Sequence, residues 1–214
     1  MLKPLYFIRS AQIMVNKSEI IEQTNLAFDF VQKLYLEVSY LIKEIEGILH
    51  EEEEKFIIGK PAGYSISARS STGLESTNVN LWLLRKFAVF FVPEDKTEIK
   101  RGQTITRIDE NLKILYLRIV LTGKNINEPA VYSGVLYNIQ KKPQVKWIVK
   151  FENVMGHLEY SDDKIFKNAE KIDYEDAYIK IQGELVKNNL FEINDSGTIL
   201  KKIIKPSLDL FRKY

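Results

Sequence analysis

Between Ser18 and Leu49 the apolar residues fall into two rows. One runs Ile20, Ala27, Val31, Leu34, Val38, Leu41, Ile45 and Ile48, with Thr24 filling one place, so that steps of four and three alternate. The other repeats every seventh residue, at Ile21, Phe28, Tyr35, Ile42 and Leu49. Both rows lie on one side of an α-helix. The stripe they make is wider than the seam of a two-stranded coiled coil, and it suits packing on a sheet or within a bundle. Asn16 or Ser18 caps the start, and Asp29 and Lys33 form a favourable i, i+4 pair. Glu51 to Glu54 close the pattern, and four acids there oppose the helix dipole. At about 1.5 Å per residue the helix is about 48 Å long, longer than a compact domain of this size. One end is therefore expected to project, and a projecting apolar stripe needs a partner chain.

After this helix the periodicity changes. Gly59, Pro61 and Gly63 break the chain, Tyr64 to Ala68 reads as a short strand, and Ser65 to Asn80 reads as a long polar loop. Strands are predicted at Leu81–Val92, Thr104–Ile108, Leu112–Leu121, Val131–Gln140 and Val145–Glu152. Leu81–Val92 is apolar on both faces, as in a central strand. Lys141-Lys142-Pro143-Gln144 and Gly123 to Pro129 read as the turns between consecutive strands. Short links make the strands antiparallel neighbours, and a helix followed by a meander is an α+β arrangement.

The last third reads as helix, helix, hairpin. Asp162 or Asp163 caps a helix carrying Ile165, Phe166, Ala169 and Ile172. Asp173 caps a second, with Tyr174, Ala177, Tyr178, Ile181 and Leu185 on one face. Leu190–Asn194 and Thr198–Ile204 then flank Asp195-Ser196-Gly197 as a hairpin turn. Residues 184–204 resemble the end of a winged helix, which implies DNA binding. The recognition helix of that layout is net acidic, whereas Lys201, Lys202 and Lys205 suit its wing. The expected organisation is residues 1–156 as helix plus sheet, and 157–214 as a C-terminal region that either stands apart or belongs to the same domain.

Composition narrows the chemistry. Hydrophobic residues make up 45% and charged residues 28% of the 214-residue chain, which are globular values. No apolar run approaches the roughly 20 residues of a membrane helix, and the patch Leu5–Ile8 is too short for a signal peptide. The chain has no cysteine, which excludes disulfides and thiolate chemistry and fits a cytoplasmic protein. Two histidines, His50 and His157, are the only imidazole candidates for a base or a ligand. Phosphate loops and nucleophile elbows are absent, and no cofactor is expected.

Net charge is +2, but residues 85–150 carry 13 Lys and Arg against 6 Asp and Glu, while residues 151–195 carry 5 against 11. In the basic stretch Arg85, Lys86, Arg101, Arg107, Lys113 and Arg118 mix with Trp82, Phe87, Phe90, Tyr116, Tyr132 and Tyr137. A basic sheet face with outward-facing rings would stack single-stranded bases. Glu98 and Lys100, or Glu184 and Lys187, invite comparison with the acids and lysine of metal-dependent nucleases.

Three functions are carried forward. The first is a non-catalytic interaction module that binds a protein partner or a second copy of itself through Ile20, Ile21, Phe28, Val31 and Tyr35. The second is nucleic-acid binding through Arg85, Lys86, Arg107, Arg118, Lys201 and Lys202. The third is a carboxylate-metal hydrolase.

Overall fold

The computed structural model describes residues 17–58, 85–100, 103–106, 112–122, 127–145 and 170–214. The strand and loop expected between Tyr64 and Leu84, the strand over 146–152, His157, Arg101, Arg107 and the helix after Asp162 lie outside the described residues. The chain divides into two compact units, Met1–Lys43 and Glu44–Tyr214. Helix α1 (Lys17–Glu51) supplies the described part of the first unit and the opening turns of the second. It begins and ends where the two apolar rows and the run of acids place it.

The second unit is built on one six-stranded sheet with every described pairing antiparallel. Its strands are β1 (Phe56–Ile58), β2 (Lys86–Pro93), β5 (Ile114–Val120), β6 (Ala130–Lys141), β7 (Lys171–Glu175) and β8 (Ile179–Asn189). Their order across the sheet is β1-β2-β5-β6-β8-β7. A separate two-stranded ribbon pairs β3 (Thr97–Lys100) with β4 (Gln103–Thr106). The fold is therefore α+β, as the sequence pattern predicts. Over the described residues, β2, β5 and β6 coincide with three predicted strands to within a few residues.

Side chains alternate between the two faces of the sheet. One face carries Phe87, Val89 and Phe91 of β2 against Ile119, Leu117 and Leu115 of β5, and these against Val131, Ser133 and Val135 of β6. Ile45 and Leu49 of α1 meet this face, as do Ile203 and Ile204 near the C-terminus. Ile45 is 1% exposed, and burying such a side chain contributes about 1.5–3 kcal/mol. The opposite face gathers Ala88, Phe90, Val92, Ile114, Tyr116, Tyr132, Leu136, Ile181 and Leu185 into the main core cluster.

Two local devices shape β6. Asn138 has φ 51°, a left-handed conformation in which Asn is among the better tolerated residues, and the pairing with β8 shifts register between Tyr137 and Gln140. The bulge lets Leu136 and Ile139, three residues apart, enter the same core cluster. The Asn138 side chain donates to Gln182 Oε1 and accepts from Gln140 Nε2. Further along, Gly134 faces Leu185 where the two strands run so close that a Cβ would collide with the Glu184 carbonyl and sit 2.9 Å from the Leu185 Cα.

The C-terminal third departs from expectation twice. Residues 171–189 form a hairpin, not a capped helix. Asp176 Oδ1 accepts hydrogen bonds from the main-chain N–H groups of Tyr178 at 2.7 Å and Ile179 at 2.9 Å, which fixes the turn. Beyond it Ile179, Ile181, Gly183 and Leu185 alternate with Lys180, Gln182 and Glu184, and the first set is buried. Residues 196–213 are helical, not a hairpin strand. Asp195 is an N-cap, extended at φ −156°, with Oδ1 accepting from Thr198 N at 2.7 Å. Helix α2 (Ser196–Ile199), a π-helical stretch (Leu200–Ile204) and α3 (Lys205–Lys213) run on with right-handed helical dihedrals at each junction. The winged-helix resemblance falls with these two assignments. α3 is anchored where Phe211 packs edge-to-face on Phe56, ring centroids 5.0 Å apart, and where Lys113 Nζ donates to the Phe211 carbonyl at 2.8 Å.

Candidate functional site

α1 changes character along its length. In its last turns Ile45 and Leu49 are core residues, and Val38 and Ile42 are 3% and 2% exposed. Towards the N-terminus the same two rows open to solvent. Ile20 is 45% exposed, Ile21 51% and Phe28 62%, whereas Val31 and Tyr35 are half-buried. Four further large apolar residues stand in solvent without belonging to either row: Leu26, Phe30, Leu36 and Tyr40. Phe30, at 67%, is more exposed than any of the three exposed row residues. Reading only the stripe misses them. The signal that finds them is the number of large apolar residues around the whole helix circumference, which a helix with one wet face would not carry. Locally the helix holds itself through Thr24 Oγ1, which donates to the Ile20 carbonyl at 2.7 Å.

Among the described residues the basic candidates do not form one patch. Arg118 is 7% exposed, and its guanidinium lies 5.7 Å from the centre of the Tyr132 ring. Lys187 of β8 approaches the same ring at 5.9 Å. Lys86 shares that face of the sheet and is half-buried, while Arg85 precedes the strand and is exposed. Lys201 and Lys202 stand on the π-helical stretch, and Lys202 Nζ is engaged by Glu192 at 2.6 Å. Phe87, Phe90, Tyr116 and Tyr132 are 4% exposed or less, so these four of the rings expected to stack bases are core residues, while Tyr137 is half-buried and Trp82 lies outside the described residues.

The described acidic residues are likewise dispersed. Glu184 and Lys187 point to opposite faces of β8, by their odd spacing. Glu184 accepts from Tyr214 Oη at 2.6 Å and Lys213 Nζ at 2.9 Å, and the Tyr214 ring stacks on Tyr137 with centroids 4.0 Å apart. The Tyr214 hydrogen bond, seconded by that of Lys213, holds the Glu184 carboxyl below the usual range. Burial, aided by Tyr214, pushes the Tyr137 phenol up to about 12. This quartet ties the end of α3 to β6 and β8. Glu53, Glu54, Lys55, Glu94, Asp95 and Arg212 line an open groove. Among the described residues no group of three or more His, Asp or Glu is placed to hold a metal ion, and no helix is long and apolar enough to cross a membrane. His50 is exposed at the C-terminal end of α1.

No protein-family model, curated protein or solved structure matches the chain.

Proposed function

We propose that the chain is a non-catalytic interaction module that binds a protein partner, or a second copy of itself, through the N-terminal part of α1. One observation carries this: Ile20, Ile21, Leu26, Phe28, Phe30, Leu36 and Tyr40 are between 45% and 67% exposed on a single helix. Scattered apolar residues are ordinary on a surface, but this density along one rod is typical of a surface that a partner covers. Among the described residues the cations and carboxylates are dispersed, which supports a non-catalytic role over the nucleic-acid and hydrolase alternatives. The absence of cysteine supports a cytoplasmic location.

Light scattering on the purified chain, beside hydrogen exchange of the α1 amides, is the test. Self-association appears as a mass above one chain that Phe28→Asp combined with Phe30→Asp returns to the monomer with the circular dichroism spectrum of the folded chain retained, and with the concentration dependence of the melting temperature lost. Binding of a different protein predicts a monomer whose amides around Phe28 exchange fast. A monomer whose amides there exchange as slowly as those of β5 overturns the proposal, because the flank is then covered within the molecule. Salt-sensitive retention on nucleic acid that survives the double substitution would shift the function to the alternative.

A further inference from the structure

Ser133 sits in the middle of β6, between Leu117 of β5 and Val186 of β8, on the face that meets the helices. It is 2% exposed, and its Oγ has no hydrogen-bond partner among the described residues. Its paired residues Leu117 and Val186, and Val131 and Val135 on its own strand, are apolar, so the hydroxyl loses its solvation with nothing from them to replace it. Ser133 is not enclosed by solid packing, however. It lines a small cavity between sheet and helices, walled by Ile45, Leu49, Phe91, Leu115 and Leu117 and closed on the helical side by Ser207. The cavity has room for about one water molecule.

Ser207 is the second polar group at this place, and it is 5% exposed. Its hydroxyl proton is committed to the Ile203 carbonyl at 2.6 Å, which leaves the oxygen lone pairs as acceptors. The Ser133 hydroxyl still has a proton to give. The two groups are thus complementary to one molecule that accepts from the first and donates to the second.

We infer that Ser133 and Ser207 form a binding site for a single internal water molecule, which accepts the Ser133 proton, donates to Ser207 Oγ and links β6 to the C-terminal helical segment. An apolar guest of the same size would leave Ser133 unbonded, so the site selects for water. This site is independent of the α1 surface and does not rest on the proposed function.

Oxygen-17 magnetic relaxation dispersion on the full chain counts long-lived internal waters directly. The wild type is expected to hold one more than Ser133→Ala, which lacks the donor, and one more than Ser207→Ala, which lacks the acceptor. If either variant fails to fold, the other carries the comparison. Thermal melting supplies an independent sign. A bonded hydroxyl makes Ser133→Ala melt lower, by about 2–4 °C for a chain of this size. A dry, unbonded hydroxyl makes the same substitution melt higher. Equal water counts in the wild type and a folded variant, or a raised melting temperature for Ser133→Ala, would overturn the inference.

Discussion

Asn188 donates its side-chain amide to the main-chain carbonyl of Lys202, 3.0 Å away. The contact joins β8 to the π-helical stretch, and its cause lies four residues further on. Pro206 has no N–H to return to the Lys202 carbonyl, and its ring crowds the turn before it. The widened π geometry of Leu200–Ile204 accommodates the ring, and Asn188 satisfies the carbonyl.

Replacing Asn188 with Ala should therefore cost about 1–2 kcal/mol, the price of an unsatisfied part-buried carbonyl. Asn188→Asp keeps the shape but cannot donate, so it should cost at least as much. In a Pro206→Ala background, which restores the N–H, the effect of Asn188→Ala should shrink. Urea denaturation of the four chains measures this coupling, and strict additivity would show that the two residues act separately.

Two glycines should respond to the same substitution with opposite signs. Gly134→Ala drives a methyl group into the Glu184 carbonyl and the Leu185 backbone, neither of which is a flexible side chain. It should destabilise by about 3 kcal/mol or more, as overpacking against main chain does. Gly47, on the exposed side of α1, has nothing within 4 Å of a built Cβ. Gly47→Ala should stabilise by up to about 1 kcal/mol through helix propensity alone. Thermal melts of the two variants would test both.

Stability should fall at both ends of the pH scale, and the Glu184 quartet contributes to each. Tyr137 keeps its proton in the folded state up to about 12, whereas an unfolded tyrosine releases it near about 10. Between these values the folded chain binds more protons than the unfolded one. Its contribution is complete below about pH 10 and is lost as pH rises through 12. Glu184 is shifted down, so its contribution is present above about 4.3 and disappears as pH falls through the lowered folded value. Asp195, lowered first by the Thr198 main-chain N–H, acts in the same acid direction. Denaturation midpoints measured against pH should flatten on the alkaline limb in Tyr137→Phe and on the acid limb in Glu184→Gln.

The parts legible in the sequence are those where one periodicity runs unopposed. α1 carries its two rows for eight turns, and β5 and β6 are bounded by turn residues. The hairpin of β7 and β8 was hidden because Tyr174, Ala177, Tyr178, Ile181 and Leu185 match a helix as well as Ile179, Ile181, Gly183 and Leu185 match a strand. What decides is the side chain of Asp176 in the turn and the close approach of Gly183 and Gly134 to the opposite strands, and the second is a tertiary fact. Asp195-Ser196-Gly197 is ambiguous in the same way, since the chemistry that turns a chain also caps a helix. β1, three residues long, carries too little pattern to register. On α1 the exposed rows could be named, but Leu26, Phe30, Leu36 and Tyr40 lie outside them. Ser133 was beyond reach, because its isolation depends on three segments meeting around it.

The strand order has a consequence for the birth of the molecule. β6, the longest described strand, bonds along one edge to β5, made just before it, and along the other to β8, made only after β7. A chain growing on the ribosome therefore carries the unmated N–H and C=O groups of β6 until residues 179–189 emerge. Bare edges of this kind recruit strands from neighbouring molecules. A nascent chain stalled before β8 is therefore expected to stick to its own kind more readily than the finished sheet does.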